Sequence, residues 1–195
     1  MRAFESEERA DREVDMPGSE GIWIFIFIDM MIFLLIFLVF MLERMGNYEL
    51  YVQSQLQLSA GWGFTNTLIL LTSSWMVVEA VRSAKESHTQ AASRWLKLAF
   101  IFGGFFVVSK TTEYYLKIDS GVGITTNSFF TFYFFITAIH FLHLLVGMVL
   151  LWTYSKSKRE NKVTPRDIME LENVGLFWHF VDALWIFIFP ILYLI

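Results

Sequence analysis

The sequence predicts an all-α fold, a polytopic membrane bundle of five transmembrane helices, and three observations lead there. Of 195 residues, 55% are hydrophobic and 18% aromatic, which is more apolar than an ordinary soluble domain. The apolar residues collect into five runs, which at about 1.5 Å per helical residue suit a hydrocarbon core of roughly 30 Å. The runs are continuously apolar, whereas a transmembrane β-strand alternates over about ten residues.

Residues 1–20 read as an acidic, solvated cytoplasmic tail, with room for a short surface helix before Pro17-Gly18. The tail has no apolar core of a signal peptide. The first run, Ile22 to Leu42, is followed by Glu43-Arg44-Met45 rather than a small-residue cleavage site, so it is expected to stay as an anchor. The other spans are expected at Phe64 to Val81, Trp95 to Leu116, Ser128 to Tyr154 and Val174 to Ile195. No internal repeat or low-complexity linker divides residues 21–195, which are read as one five-helix transmembrane domain.

Charge sets the expected orientation, because Lys and Arg are retained on the cytoplasmic side. Arg2, Arg9 and Arg12 in the tail, Arg82, Lys85 and Arg94 after the second span, and Lys156, Lys158, Arg159, Lys162 and Arg166 after the fourth make eleven. The two remaining loops hold Arg44 and Lys117. The expectation is a cytoplasmic N-terminus and a C-terminus outside, in agreement with the apolar end at Ile195. Most of the net charge of −4 lies in the tail, so no basic surface suits nucleic acid. With no cysteine, disulfides, thiolate metal sites and C-x-x-C-H haem attachment are excluded, and His and carboxylates are the remaining ligands.

Each span nevertheless carries polar side chains. These are Asp29 in the first, Asn66 with Thr72, Ser73 and Ser74 in the second, Lys110 and Glu113 in the third, His140 and His143 in the fourth, and His179 and Asp182 in the last. An ionisable residue at membrane depth costs about 2.5 to 3.5 kcal/mol on insertion scales, so these groups must face protein. Lys110 and Glu113, at i and i+3, are read as a structural ion pair. Asn66 and the Thr-Ser-Ser run suit a close helix contact. Asp29, His143 and Asp182 fall about two to three residues, or ~3 to 5 Å, to the cytoplasmic side of their helix centres and can meet in one layer. For these three, with His140 and His179, interhelical hydrogen bonding or a lipid-lined cleft is expected, with a proton path as the alternative. Haem ligation is disfavoured because His143 and His179 differ in depth by about 5 Å. His88 sits in a polar loop.

Taken in order, these insertions resemble subunit III of the haem-copper oxidases. Trp178-His179-Phe180-Val181-Asp182-x-x-Trp185 is similar to that family's last-helix signature, with Glu172 at the position of its upstream glutamate. His140-x-x-His143 with Val146-Gly147 resembles its His-x-x-His-x-x-x-Gly helix, Lys110-x-x-Glu113-Tyr114-Tyr115 its Gln-x-x-Glu-Tyr element, and Asn66-Thr67 its Asn-Thr helix. Asp29 stands where the family carries a carbodiimide-reactive carboxylate. The likeness runs from Gly21 to the end. Two N-terminal spans of long oxidase subunits are missing, and Asp29-Met30 and Phe189-Pro190-x-Leu192-Tyr193-Leu194 look more like the short NorE-type proteins associated with nitric oxide reductase.

The resemblance implies a non-catalytic accessory subunit in a bacterial cytoplasmic membrane, packed against a haem-copper catalytic subunit and membrane lipids. It implies no active site of its own: haem and metal would sit in the partner, and the chain would hold a structural phospholipid. Asp29, Lys110, Glu113, His140, His143, Glu172, His179 and Asp182 would form the polar core or contact lipid and partner. A standalone proton or small-solute transporter, or a haem-binding membrane cytochrome, are the readings of another class.

Overall fold

The computed structural model describes residues 17–157 and 164–195, so most of the acidic tail and Lys158, Arg159 and Lys162 lie outside the described residues. Within them the chain is helical, with no strand: α1 Glu20–Gly46, α2 Tyr48–Gln55, α3 Ala60–Lys85, α4 Thr89–Asp119, α5 Ser128–Ser157 and α6 Pro165–Tyr193. All but α2 are long and apolar enough to cross a membrane, which agrees with the five predicted spans.

Helices α3 to α6 form a closed ring in which α3 packs on α4 and α6, and α5 on α4 and α6. Two large side chains of α6 reach across the ring. The Trp178 indole lies between α4 and α5, and a Cβ added at Gly103 or Gly147 would stand 2.9 Å from it. Both glycines therefore admit the ring by lacking a side chain, the close-approach role of small residues in membrane bundles. Trp178 and Trp185 are fully buried.

Helix α1 lies outside this ring, against α5, α6 and α2. Its buried positions are Ile26, Phe33, Phe40 and Arg44, one narrow stripe in steps of seven and four residues. Much of the rest of its surface is apolar and exposed, from Ile24 and Phe27 to Leu38 and Leu42. That is stable only in lipid or against another apolar surface.

Two elements exceed the sequence expectation. Helix α6 starts nine residues before Val174, at Pro165, because Thr164 and Asp167 make a reciprocal capping box and proline suits the first helical position. Glu172 and Asn173 are thereby helical. The short α2 is too polar to read as a span, yet it docks by Tyr51, which lies fully buried with its ring centroid 5.4 Å from Phe40 and 5.5 Å from Phe129. Ser54, on the same face, accepts from the Asn127 side chain at 2.9 Å.

Candidate functional site

Polar groups line α6 from one end to the other, and each level has a different partner. At the first level, Glu172 accepts from the Gly18 backbone N–H at 3.0 Å and pairs with Lys85 Nζ at 2.6 Å. Asn173 Oδ1 accepts from the Ser19 N–H at 2.7 Å. Gly18 has φ +79, and a Cβ there would lie 2.6 Å from Asn173 Oδ1 and 2.8 Å from Leu176. Glycine alone satisfies both the left-handed backbone and the close approach. The approach to α1 is thus tied to α6, and Lys85 joins α3 to the same carboxylate.

Two turns further on, His179 Nδ1 and the Ser74 hydroxyl share a hydrogen bond of 2.6 Å between α6 and α3. The half-buried His179 also lines a cleft of about 590 Å³ whose mouth carries Lys85, Arg82 and Glu172. Asp182 is 3% exposed. Ser74 is its polar neighbour, but neither carboxylate oxygen has an aligned hydrogen bond among the described residues.

On the other side of α6, His143 Nε2 stands 3.3 Å from Asp29 Oδ2, joining α5 to the peripheral α1. The contact is close without being aligned as a hydrogen bond, since Asp29 Oδ2 has no partner of good geometry. His143 Nδ1 lies 2.8 Å from the Ile139 carbonyl, which can only accept, so Nδ1 carries the hydrogen.

The far end holds a buried ammonium. Lys110 Nζ donates to Glu113 Oε2 at 2.9 Å, Tyr133 Oη at 3.1 Å and Tyr193 Oη at 2.7 Å, which uses all three of its hydrogens. Both phenols in turn donate to Glu113 Oε1, at 2.9 and 2.7 Å. Rings of Tyr114, Tyr133, Trp185 and Tyr193 face the ammonium at 4.8 to 5.4 Å. Cation–π attraction of about 0.5 to 2 kcal/mol per ring supports a charge withdrawn from water. Between this cluster and Asp182, Trp185 Nε1 donates to Thr67 Oγ1 at 3.1 Å. His140 packs on Phe106 and Trp185 with neither ring nitrogen bonded, and Asn66 is likewise buried without a partner among the described residues.

Of the eight residues singled out by the sequence, the structure joins Lys110 to Glu113 and Asp29 to His143, gives Glu172 and His179 partners on α3, and leaves Asp182 and His140 without an aligned bond. Asp182 bonds to neither member of the Asp29–His143 pair, so the suggested three-residue layer resolves into one pair and a separate carboxyl beside Ser74. Sequence reasoning missed Tyr133, Tyr193 and Lys85. No local spacing reveals them, because each partner lies 20 or more residues away. Among the described residues, no three His, Asp or Glu side chains converge as metal ligands.

The family model described as cytochrome c oxidase subunit III matches residues 12–195. A probable cytochrome c oxidase subunit 3 of Mycobacterium leprae is 30% identical over 129 residues, 66% of this chain and 64% of that protein. A cytochrome bo(3) ubiquinol oxidase subunit 3 of Buchnera aphidicola is 26% identical over 174 residues, 89% of this chain and 84% of that protein. A cytochrome c oxidase subunit 3 of Corynebacterium diphtheriae is 28% identical over 184 residues, 91% of this chain and 87% of that protein.

Proposed function

The chain belongs to the cytochrome c oxidase subunit III family, and from that premise we propose that it is a non-catalytic, accessory membrane subunit of a haem-copper respiratory enzyme. It stabilises the catalytic subunit by helix packing and bound lipid. The observation that carries this reading beyond family membership is the filled interior. Trp178 and Trp185 occupy the middle of the α3 to α6 ring, and Lys110 is enclosed by its own partners, so the core is built for rigidity rather than passage. The relatives named above are oxidase subunits, and a standalone transporter finds no support among them.

The exposed apolar flanks of α1 suit a partner helix of the catalytic subunit. The groove of about 210 Å³ between α1 and α6, lined by Phe27, Met31, Leu34, Phe180 and Phe187, suits a lipid acyl chain. Haem and metal belong to the partner. The charge bias of the loops supports a bacterial cytoplasmic membrane location with the Glu172 end of the bundle facing the cytoplasm. The Asp29-Met30 and Phe189-Pro190 features support a NorE-type protein, whose partner reduces nitric oxide.

Purification in mild detergent tests the reading. A co-purifying haem-copper subunit is expected, and its identity separates an oxygen from a nitric oxide reductase. Recovery of the chain alone, with transport activity in liposomes, would overturn the proposal.

A further inference from the structure

The cleft at the Glu172 end and the carboxyl behind it are used by nothing described so far. Their arrangement is sequential. Lys85, Arg82 and Glu172 stand at the mouth, His179 lines the wall, Ser74 bonds His179 at 2.6 Å, and Asp182 lies behind Ser74, 3% exposed. A carboxylate anion withdrawn from water with no aligned hydrogen bond is costly by several kcal/mol, and a structural role would have supplied it with donors. Glu113, by contrast, has the ammonium and two phenols, and Asp29 at least stands 3.3 Å from an imidazole. Asp182 has no such charged or ring partner, and it lies beside the Ser74 hydroxyl, which bonds an imidazole that lines an open cleft.

We propose that His179, Ser74 and Asp182 form a proton-exchange site, through which the Asp182 carboxyl trades its proton with water in the cleft at the Glu172 end. The step balances without a co-reactant. A water-borne proton adds to Nε2 of the neutral His179 ring, Nδ1 releases its hydrogen to Ser74 Oγ, and the Ser74 hydroxyl hydrogen passes to an Asp182 oxygen. The carboxylate becomes the neutral acid, hydronium becomes water, and the imidazole returns to its starting tautomer by losing the Nε2 hydrogen on the reverse passage. His179 and Ser74 suit this relay because each both donates and accepts.

The groups that face the site are few. From α3 come Ser74 at the relay and Lys85, Arg82 and Glu86 at the mouth, and from α6 itself comes Glu172. On the α1 and α5 side, Asp29 and His143 pair with each other, and His140 lies against Phe106 and Trp185. The proposal concerns this chain alone and stands independently of which respiratory enzyme it joins.

Infrared spectroscopy of the full chain in lipid nanodiscs, with ¹³C-labelled aspartate, tests it. The expected result is a protonated-carboxyl band that carries the aspartate isotope shift and is lost in Asp182→Asn. On transfer to D₂O, Ser74→Ala should slow the deuterium shift of that band by about 10²-fold, the lower end of what a positioned proton-transfer group contributes. His179→Ala should slow it similarly, whereas Thr111→Ala, at an exposed position of α4 away from the cleft, leaves the rate unchanged. If Asp182→Asn does not accumulate, Asp182→Glu serves instead, since the band then loses its aspartate isotope shift. Absence of the band, or exchange at the wild-type rate in both Ser74→Ala and His179→Ala, overturns the proposal. Exchange too slow to observe in the wild type, as a lipid sealing the cleft would cause, overturns it also.

Discussion

Lys110 donates to the Tyr193 hydroxyl at 2.7 Å, and through it the C-terminal turn of α6 is fixed to the third span across 83 residues of sequence. The phenol accepts from the ammonium and donates to Glu113, so one hydroxyl completes the needs of both charges. A buried ion pair alone is weak support for stability, because desolvation offsets attraction. Here the two tyrosines supply the additional hydrogen bonds that such a pair requires.

Removing the ammonium should therefore cost more than replacing it. Lys110→Ala leaves Glu113 buried with two phenols and no cation, and should destabilise the protein by about 3 to 5 kcal/mol. Lys110→Gln, which restores a donor and matches the residue expected at this position of the family motif, should be distinctly milder. Thermal unfolding in detergent, followed by tryptophan fluorescence, measures the order. Equal losses for the two variants would show that the charge rather than the hydrogen bonds matters.

The Trp178 wedge makes a prediction about volume. A methyl at Gly147 would stand 2.9 and 3.1 Å from the indole, so Gly147→Ala overpacks the contact and should cost about 1 to 3 kcal/mol. Trimming the ring in Trp178→Phe leaves space instead. The double variant should be less damaged than the sum of the two, with a coupling of about 0.5 kcal/mol or more by a double-mutant cycle. Additive losses would mean that the glycine does not serve the ring.

The Asp29–His143 contact is expected to govern carbodiimide reactivity. A neutral, lipid-accessible carboxyl is expected to react with a hydrophobic carbodiimide, and a carboxylate held against an imidazolium much less. His143→Ala should therefore increase labelling at Asp29 over the wild type, and Asp29→Asn should abolish it. Peptide mass spectrometry locates the adduct. Equal labelling with and without the imidazole would show that the 3.3 Å contact does not control the proton.

What was legible in the sequence follows the range of the interactions. The five spans, the Lys110–Glu113 pair at i and i+3, and the inward placement of the ionisable groups rest on periodicity and on the cost of charge in lipid, which act locally. The partners contributed by other helices were not legible, because which tyrosine meets Lys110 depends on the rotation of α5 and α6 about their axes. The same holds for Ser74, which the sequence marks only as part of a small polar run. Helix α2 was missed for a different reason: eight polar and apolar residues carry no span signal, and Tyr51 is buried between Phe40 and Phe129, which two other helices supply.

The seam of α1 bears on the order in which the molecule assembles. The ring of α3 to α6 closes on its own contacts, whereas α1 adds a single stripe through Ile26, Phe33 and Phe40, the Asp29–His143 contact and the clasp at Gly18 and Ser19. Although translated first, α1 docks mainly on α5 and α6, so its docking is expected to follow theirs. On unfolding, α1 is expected to part first from the ring, and its amides should then exchange with solvent deuterium ahead of those of α3 to α6.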